Sequence, residues 1–414
     1  MTTATAPQPD VADHAGNDPS ALPHSSPLIP AAERVAKELA SSAVARERAD
    51  ELPSAEINLL RESGLLRANA NPDAGGYKLG WSQLMRLVGI VAAGDTSIGQ
   101  LLAYHYVNLY SAVLCATPEE GPALIERSAR EGWFWGDAVN PRDPAIVLTR
   151  DGDSFLANGK KSFTSGSAAA DRLFVSAELD GIPVAINISQ KLDGISFDRD
   201  AWDFIGQRLT ESGPTIFENV RVEATDFLGG IPESEEEIPP RSTLLIPLIQ
   251  AAFTTIYVGA ARGALTEAAQ YVRTTTRPWL HAQVDRASED PPILERFGQL
   301  ESRLRAAEAL TDRANEQVEA GLALGEALTE RQRGEIAVTV YSAKVFATEV
   351  TLDTTSRVFE LQGARSAHRD YGFDRRWRDV RTHTLHDPVF YKEREVGDFA
   401  LNDRVPEPDG NQYR

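Results

Sequence analysis

Over residues 31–131, apolar positions recur at the mixed three- and four-residue spacing of helices that bury one face. Residues 32–52 predict a first helix, rich in Ala, Glu and Arg. Ser54, ahead of Ile57, Leu59 and Leu60, predicts an N-cap and a second helix ending near Gly64. Residues 81–93 predict a third helix and residues 96–115 a fourth, strongly apolar one. Pro118 predicts the first turn of a fifth. Over residues 132–224 the period shifts towards two. Short strands are expected at residues 146–148, 154–156, 173–175, 184–186 and 215–217, separated by Asp151-Gly152, Asn158-Gly159 and Asp180-Gly181 turns. Such strands predict a small β-barrel or sandwich. Helical spacing returns at residues 244–272, 294–324 and 330–359. Small residues at Gly259, Ala260, Ala261 and Gly263 permit the close helix packing of a bundle.

The expected fold class is α+β and multi-domain: a helical domain at 31–131, a small β-barrel at 132–230 and a C-terminal four-helix bundle at 244–414. An acidic, proline-bearing linker at 231–243 and a disordered tail at 1–30 complete the division. The tail lacks the basic start and apolar core of a secretory signal.

Charge narrows the partners. There are 61 acidic against 42 basic residues, a formal net charge of -19, which disfavours nucleic acid or an anionic membrane surface. No apolar run is read as long enough for a membrane span. The single cysteine, Cys115, excludes an intrachain disulfide, suits a reducing cytoplasm and reads as a buried structural thiol. No metal-spaced His/Cys set and no dinucleotide-type glycine loop is present.

Candidate chemistry gathers at the C-terminal end. Leu361-Gln362-Gly363-Ala364-Arg365 closes a helical pattern at a glycine suited to close backbone approach by a ligand. Residues 371–381 are dense in arginine, a side chain that can hold a phosphate. His383 and His386 follow, three apart, before Pro388. Arg381-Thr382-His383-Thr384-Leu385-His386-Asp387-Pro388 resembles the end of the acyl-CoA dehydrogenase superfamily, and most closely its flavin-dependent monooxygenase branch. Two further runs are similar to that family in the same order: residues 158–166, like the middle-domain strand along the flavin, and residues 206–212, like a later strand.

The resemblance implies residue roles. His386 fills the position of the dehydrogenases' C-terminal glutamate. The alternative base position also lacks a carboxylate, since residues 243–266 contain no Asp or Glu. An acyl-CoA dehydrogenase needs a carboxylate base to take an α-proton, so that activity is disfavoured. A monooxygenase instead uses reduced FMN and O2 through a flavin C4a-hydroperoxide. His386, with Ser165 as partner, is expected to donate to that peroxide, and His383 stands beside them. By itself His105 reads as a core histidine; the resemblance puts it, with Tyr104, at the substrate cavity. Trp202 reads either as core or as an aromatic wall of that cavity. Asp137 stands where the branch carries Asn, and an ionised carboxylate there would repel a reduced flavin. Thr164 and Ser165 are expected along the flavin. Arg277 and Arg365 are expected at its phosphate, with Gly363 in the turn and Arg365 reaching a neighbouring subunit's flavin. The implied cofactor is FMN, with FAD possible. The implied partners are a separate NAD(P)H-dependent flavin reductase, O2, a small hydrophobic substrate and other copies of the chain in a homotetramer. The implied reaction is oxygenation of a heteroaromatic compound, foremost the sulfur of a thiophene. Indole or amine hydroxylation is the alternative.

Overall fold

The computed structural model describes residues 27–232 and 240–408. Most of the expected tail, and the acidic centre of the expected linker, lie outside the described residues. Residues 28–30, assigned to that tail, already belong to the first helix, α1 (Leu28–Ala49). The N-terminal helices continue with α2 (Ser54–Glu62), α3 (Trp81–Gly94), α4 (Thr96–Cys115) and α5 (Glu120–Glu131). The apolar α4 runs through the centre and touches α3, α5 and the sheet.

Seven strands follow: β1 (Trp135–Ala138), β2 (Ile146–Asp151), β3 (Ser154–Lys161), β4 (Arg172–Leu179), β5 (Ile182–Ser189), β6 (Ile195–Phe197) and β7 (Thr215–Val222). The order is β1-β4-β2-β3-β7-β6, with β5 also on β4. β1 pairs with the start of β4 and β2 with its end, both in parallel. The sheet curls, but no ladder joins β5 to β6 among the described residues. The small barrel or sandwich expected from the strands is this curled sheet. β1 and β6 escaped the sequence reading. β1 is buried on both faces and shows no alternation, and β6 is only three residues long.

The C-terminal helices are α6 (Pro240–Thr243), α7 (Leu245–Thr274), α8 (Pro291–Leu324), α9 (Glu330–Gln362), α10 (Arg375–His383) and α11 (Val389–Asn402). α7, α8 and α9 pack mutually, and α11 lies along α9. α8 begins three residues earlier than its apolar pattern, because prolines are tolerated in a first turn. The stretch Arg241–Thr274 is long and apolar enough to cross a membrane, which corrects the reading that no run is. Its most apolar window is wholly buried, so it serves as the core helix of the bundle. Gly259 and Gly263 make this packing possible. A Cβ on Gly263 would lie 2.3 Å from the Ala93 carbonyl oxygen, and one on Gly259 2.8 Å from that of Gly89.

Two arginines of α10, Arg376 and Arg378, are pins between elements. Arg376 is buried and donates to the carbonyls of Ala92, Ala93 and Gly94 at the end of α3, while pairing with Glu267 of α7 at 2.9 Å. Arg378 pairs with Glu47 of α1 at 2.6 Å and donates to the Ile205 carbonyl at 2.8 Å. Asp379 accepts the Gln207 N–H at 2.7 Å. α10 thereby joins the N-terminal helices, the bundle and the loop that follows Trp202.

Candidate active site

α4 is buried nearly all round, so its polar side chains need partners. Gln100, Tyr104 and Asn108 fall four residues apart, on one stripe of the helix. Each meets one of the residues singled out from the sequence. Gln100 Nε2 lies 3.4 Å from Ser165 Oγ. Tyr104 Oη lies 3.3 Å from His383 Nε2. Asn108 Nδ2 donates to Asp137 Oδ2 at 3.2 Å. Gln100 and Asn108 were missed by sequence reasoning, although polar residues at this spacing on an apolar helix are a usable signal.

α10 ends at the two histidines, and they differ. His383 is buried, with Nδ1 at 2.9 Å from the Tyr257 hydroxyl and Nε2 on Tyr104. Burial, then His386 and Lys344, pull its pKa well below the ordinary value. It is a neutral imidazole with both nitrogens engaged, so it orients tyrosines and is not itself a proton donor to substrate. His386 keeps 39% of its side chain exposed and rests on Phe253, with ring centroids 4.8 Å apart. Its Nδ1 is 3.3 Å from Asp387 Oδ1. Behind them lies a residue that sequence reasoning missed. Lys344 of α9 is fully buried and donates to Asp387 Oδ1 and to Gln250 Oε1. Burial would raise Asp387, but Lys344 and His386 outweigh it and hold the carboxyl well below the usual range. No sequence spacing links Lys344 to the histidines.

His105 does not reach a cavity. It is wholly enclosed, its Nε2–H donates to the Leu66 carbonyl at 2.9 Å, and its Nδ1 accepts the Trp135 N–H at 3.4 Å. Burial lowers its pKa to about 4. This enclosure fits the core-histidine reading and gives the catalytic and substrate-binding roles expected for it no contact in support among the described residues. The reason is that α4 turns His105 towards β1 and Leu66, while its neighbour Tyr104 faces α10.

The two sheet motifs meet. The Gly166 N–H donates to the Thr210 carbonyl at 2.8 Å. Thr210 Oγ1 donates to the Gln207 carbonyl at 2.7 Å, and Ser212 Oγ lies 2.8 Å from both Thr210 Oγ1 and Ser165 Oγ. Each hydroxyl has one proton. That of Thr210 is spent on a carbonyl, so Ser212 must donate to Thr210 and Ser165 to Ser212. The expected donation from Ser165 to a peroxide is therefore not available to it. The hydroxyl of Thr164 is likewise committed: it donates to the Gly213 carbonyl at 2.5 Å and accepts from Thr215 at 2.7 Å. Thr164 closes the fold at this point, so its hydroxyl can offer a cofactor only a lone pair.

Burial pushes the Asp137 carboxyl up to about 7, against the lowering effect of Asn108. The anion expected from the sequence is thus shifted towards its neutral form, with the two forms comparable near neutral pH. Trp202 Nε1 donates to the Gln207 carbonyl at 2.8 Å, and its ring stacks on Phe204 at 4.2 Å and meets Phe163 edge-on at 6.1 Å. Phe163 is 55% exposed. Trp202 thus belongs to an accessible aromatic surface. Cys115 is half-buried, and burial raises its thiol to about 11.

Thr276 Oγ1 donates to the Gln362 carbonyl at 3.2 Å, which ties the Arg277 loop to the Gly363–Arg365 turn. Gly363 has φ +82°, a conformation that favours glycine. Arg277 and Arg365 are exposed, and no hydrogen bond or ion pair engages either guanidinium among the described residues. Both amide atoms of the buried Gln362 lack a partner. Free guanidiniums and unmet amide groups fit a phosphorylated, hydrogen-bonding cofactor such as FMN.

The chain is 36% identical over 394 residues to dibenzothiophene monooxygenase of Mycolicibacterium goodii, covering 92% of this chain and 95% of the relative. The chain belongs to the flavin-dependent monooxygenases of the acyl-CoA dehydrogenase superfamily. Residues 251–389 match the family described as acyl-CoA dehydrogenase, C-terminal domain. The probable FMNH2-dependent monooxygenase SfnC of Pseudomonas putida is 37% identical over 389 residues, covering 92% and 96%. TdsC from Paenibacillus sp. A11-2, solved with FMN and indole, superposes with a TM-score of 0.86 at 38% identity, covering 92% of this chain and 98% of that one. As a member of this family the chain is an oxidoreductase whose cofactor is FMN.

Proposed function

We propose that this chain is the oxygenase of a two-component system and oxygenates a planar, apolar heteroaromatic compound, foremost at the sulfur of a thiophene. The observation that carries this reading is His386, which is accessible, rests on Phe253 and is backed by Asp387. Dehydrogenation is disfavoured on the same ground. Asp387 is the carboxylate beside the histidines, and Lys344 holds it ionised and engaged, which makes it a poor base for an α-proton.

Reduced FMN, when bound, supplies the electrons that activate dioxygen for transfer of one oxygen atom. The residues supply the setting. Arg277 and Arg365 would take the phosphate, with Arg365 reaching the flavin of a second copy in a homotetramer. Trp202, Phe163 and Phe204 offer flat faces to an aromatic substrate. Asp387 accepts His386 Nδ1–H, so a protonated His386 would carry its second proton at Nε2, where it could be donated to oxygen at the bound flavin. No nicotinamide-binding signature is read in the sequence, so a separate reductase delivers the reduced flavin. A reducing cytoplasm suits the lone thiol.

The test is product analysis with enzymatically reduced FMN. Oxygen should be consumed and a heteroaromatic sulfide should gain an oxygen atom, read by mass. Desaturation of acyl-CoA thioesters without oxygenation would sink the proposal. His386→Ala and His386→Phe should keep FMN affinity and release hydrogen peroxide in place of product, with oxygenation falling about 10²–10⁴-fold. A Phe variant coupled as well as the parent would leave His386 only a packing role.

A further inference from the structure

Ser165, Ser212, Thr210 and the Gln207 carbonyl form a row of four oxygens with three gaps, of 2.8, 2.8 and 2.7 Å. The carbonyl can only accept, and three hydroxyls bring three protons for three gaps. The carbonyl also accepts the Trp202 Nε1–H and the Thr210 N–H, yet at 2.7 Å it can meet Thr210 Oγ1 only through that hydroxyl's proton, so the row runs towards the carbonyl and Ser165 presents a lone pair to whatever lies beyond it. Gln100 agrees: its Nε2, not its oxygen, must face Ser165 Oγ, because an oxygen there would meet no proton. Two neighbouring groups remain unmet. Gln100 Oε1 and both amide atoms of Gln207 are buried without partners, although both residues are at least nine-tenths enclosed. Unpaired groups so placed point to a ligand.

We infer that Ser165 is a fixed hydrogen-bond acceptor, that Ser212 and Thr210 are the positioning residues that make it one, and that the row selects reduced over oxidised flavin. The inference rests on the flavin reading above, with Ser165 along the flavin. Reduction places a proton on the central ring nitrogen that is a bare lone pair in the oxidised form. A hydroxyl that can only accept bonds the N–H of the first and faces the lone pair of the second. A hydroxyl free to turn would serve both. The row thus helps the protein take its cofactor in the form that the reductase delivers.

Anaerobic titrations with FMN and with reduced FMN test this in the whole protein. The parent should prefer the reduced form. Ser212→Ala frees the Ser165 proton to turn outward and should narrow that preference roughly five- to tenfold, the worth of one hydrogen bond. Ser212→Thr restores the acceptor of the Ser165 proton and should keep the preference. An unchanged ratio in Ser212→Ala overturns the inference. Equal binding of both forms by the parent overturns it too, while leaving the flavin reading intact; binding of neither form ends both. Neutron diffraction from the cofactor-free parent is independent of any variant's folding. A deuteron from Ser165 on the line to Ser212 supports the row, and one pointing away from Ser212 overturns it.

Discussion

At the scale of single residues, buried charge makes the sharpest demands. Lys344 is stable inside the bundle only because Asp387 and Gln250 meet it. Lys344→Met leaves Asp387 uncompensated and should cost about 3–5 kcal/mol in urea denaturation. Adding Asp387→Asn should return part of that. Asp137 behaves oppositely, because burial favours its neutral form. Its folded pKa of about 7 exceeds the ordinary 3.8. Its contribution to stability is therefore whole below the ordinary value and is lost as pH rises to about 7. Relative to Asp137→Asn, the parent should lose stability between about pH 4 and 7, of order 4 kcal/mol, and show no further difference above. A difference that stays flat across that range would show that Asp137 ionises as an exposed carboxylate does.

At the scale of elements, α7 crosses α3 where α7 has no room for a side chain at Gly259 or Gly263. The Ala93 carbonyl occupies the place of a Cβ on Gly263, and Arg376 fills the space beside it. Gly263→Ala should force α7 from α3 and disturb the Arg376 bonds to the end of α3, at a cost of about 1–3 kcal/mol by overpacking. Thermal melting checks this, with Gly298→Ala as the control, since a Cβ there meets nothing within 4 Å. α10 is the element on which the site depends. Asp379 holds the loop after Trp202, and four residues later His383 holds Tyr104 and Tyr257. Two of the arginines that looked like phosphate ligands, Arg376 and Arg378, fix α10 in this place.

At the scale of the whole molecule, Arg277 and Arg365, proposed for the phosphate, lie on an open surface. Beside Arg277, Trp279 is 70% and Leu280 88% exposed, apolar area of the kind that interfaces cover. Light scattering should give a homotetramer; a monomer with full flavin affinity would contradict it. Arg277→Ala and Arg365→Ala should weaken FMN about 10- to 100-fold, the range of a charge-assisted contact, and leave riboflavin nearly unaffected. Equal losses for both flavins would remove the phosphate role.

The order of helices, strands and helices was legible along the chain because helical and strand periods are local properties. α4 appears at its read boundaries, Thr96–Cys115. The flavin-family motifs were legible too, since they are contiguous runs. Sequence did not determine which way neighbouring side chains face. Tyr104 and His105 are adjacent, yet one meets α10 and the other is sealed by Leu66 and Trp135. Nor could it bring Lys344 to Asp387 or direct the protons from Ser165 to Gln207. Those facts need distances between atoms far apart in the chain. Only packing sets them, and on them depends which residues can give a proton and which can only receive one.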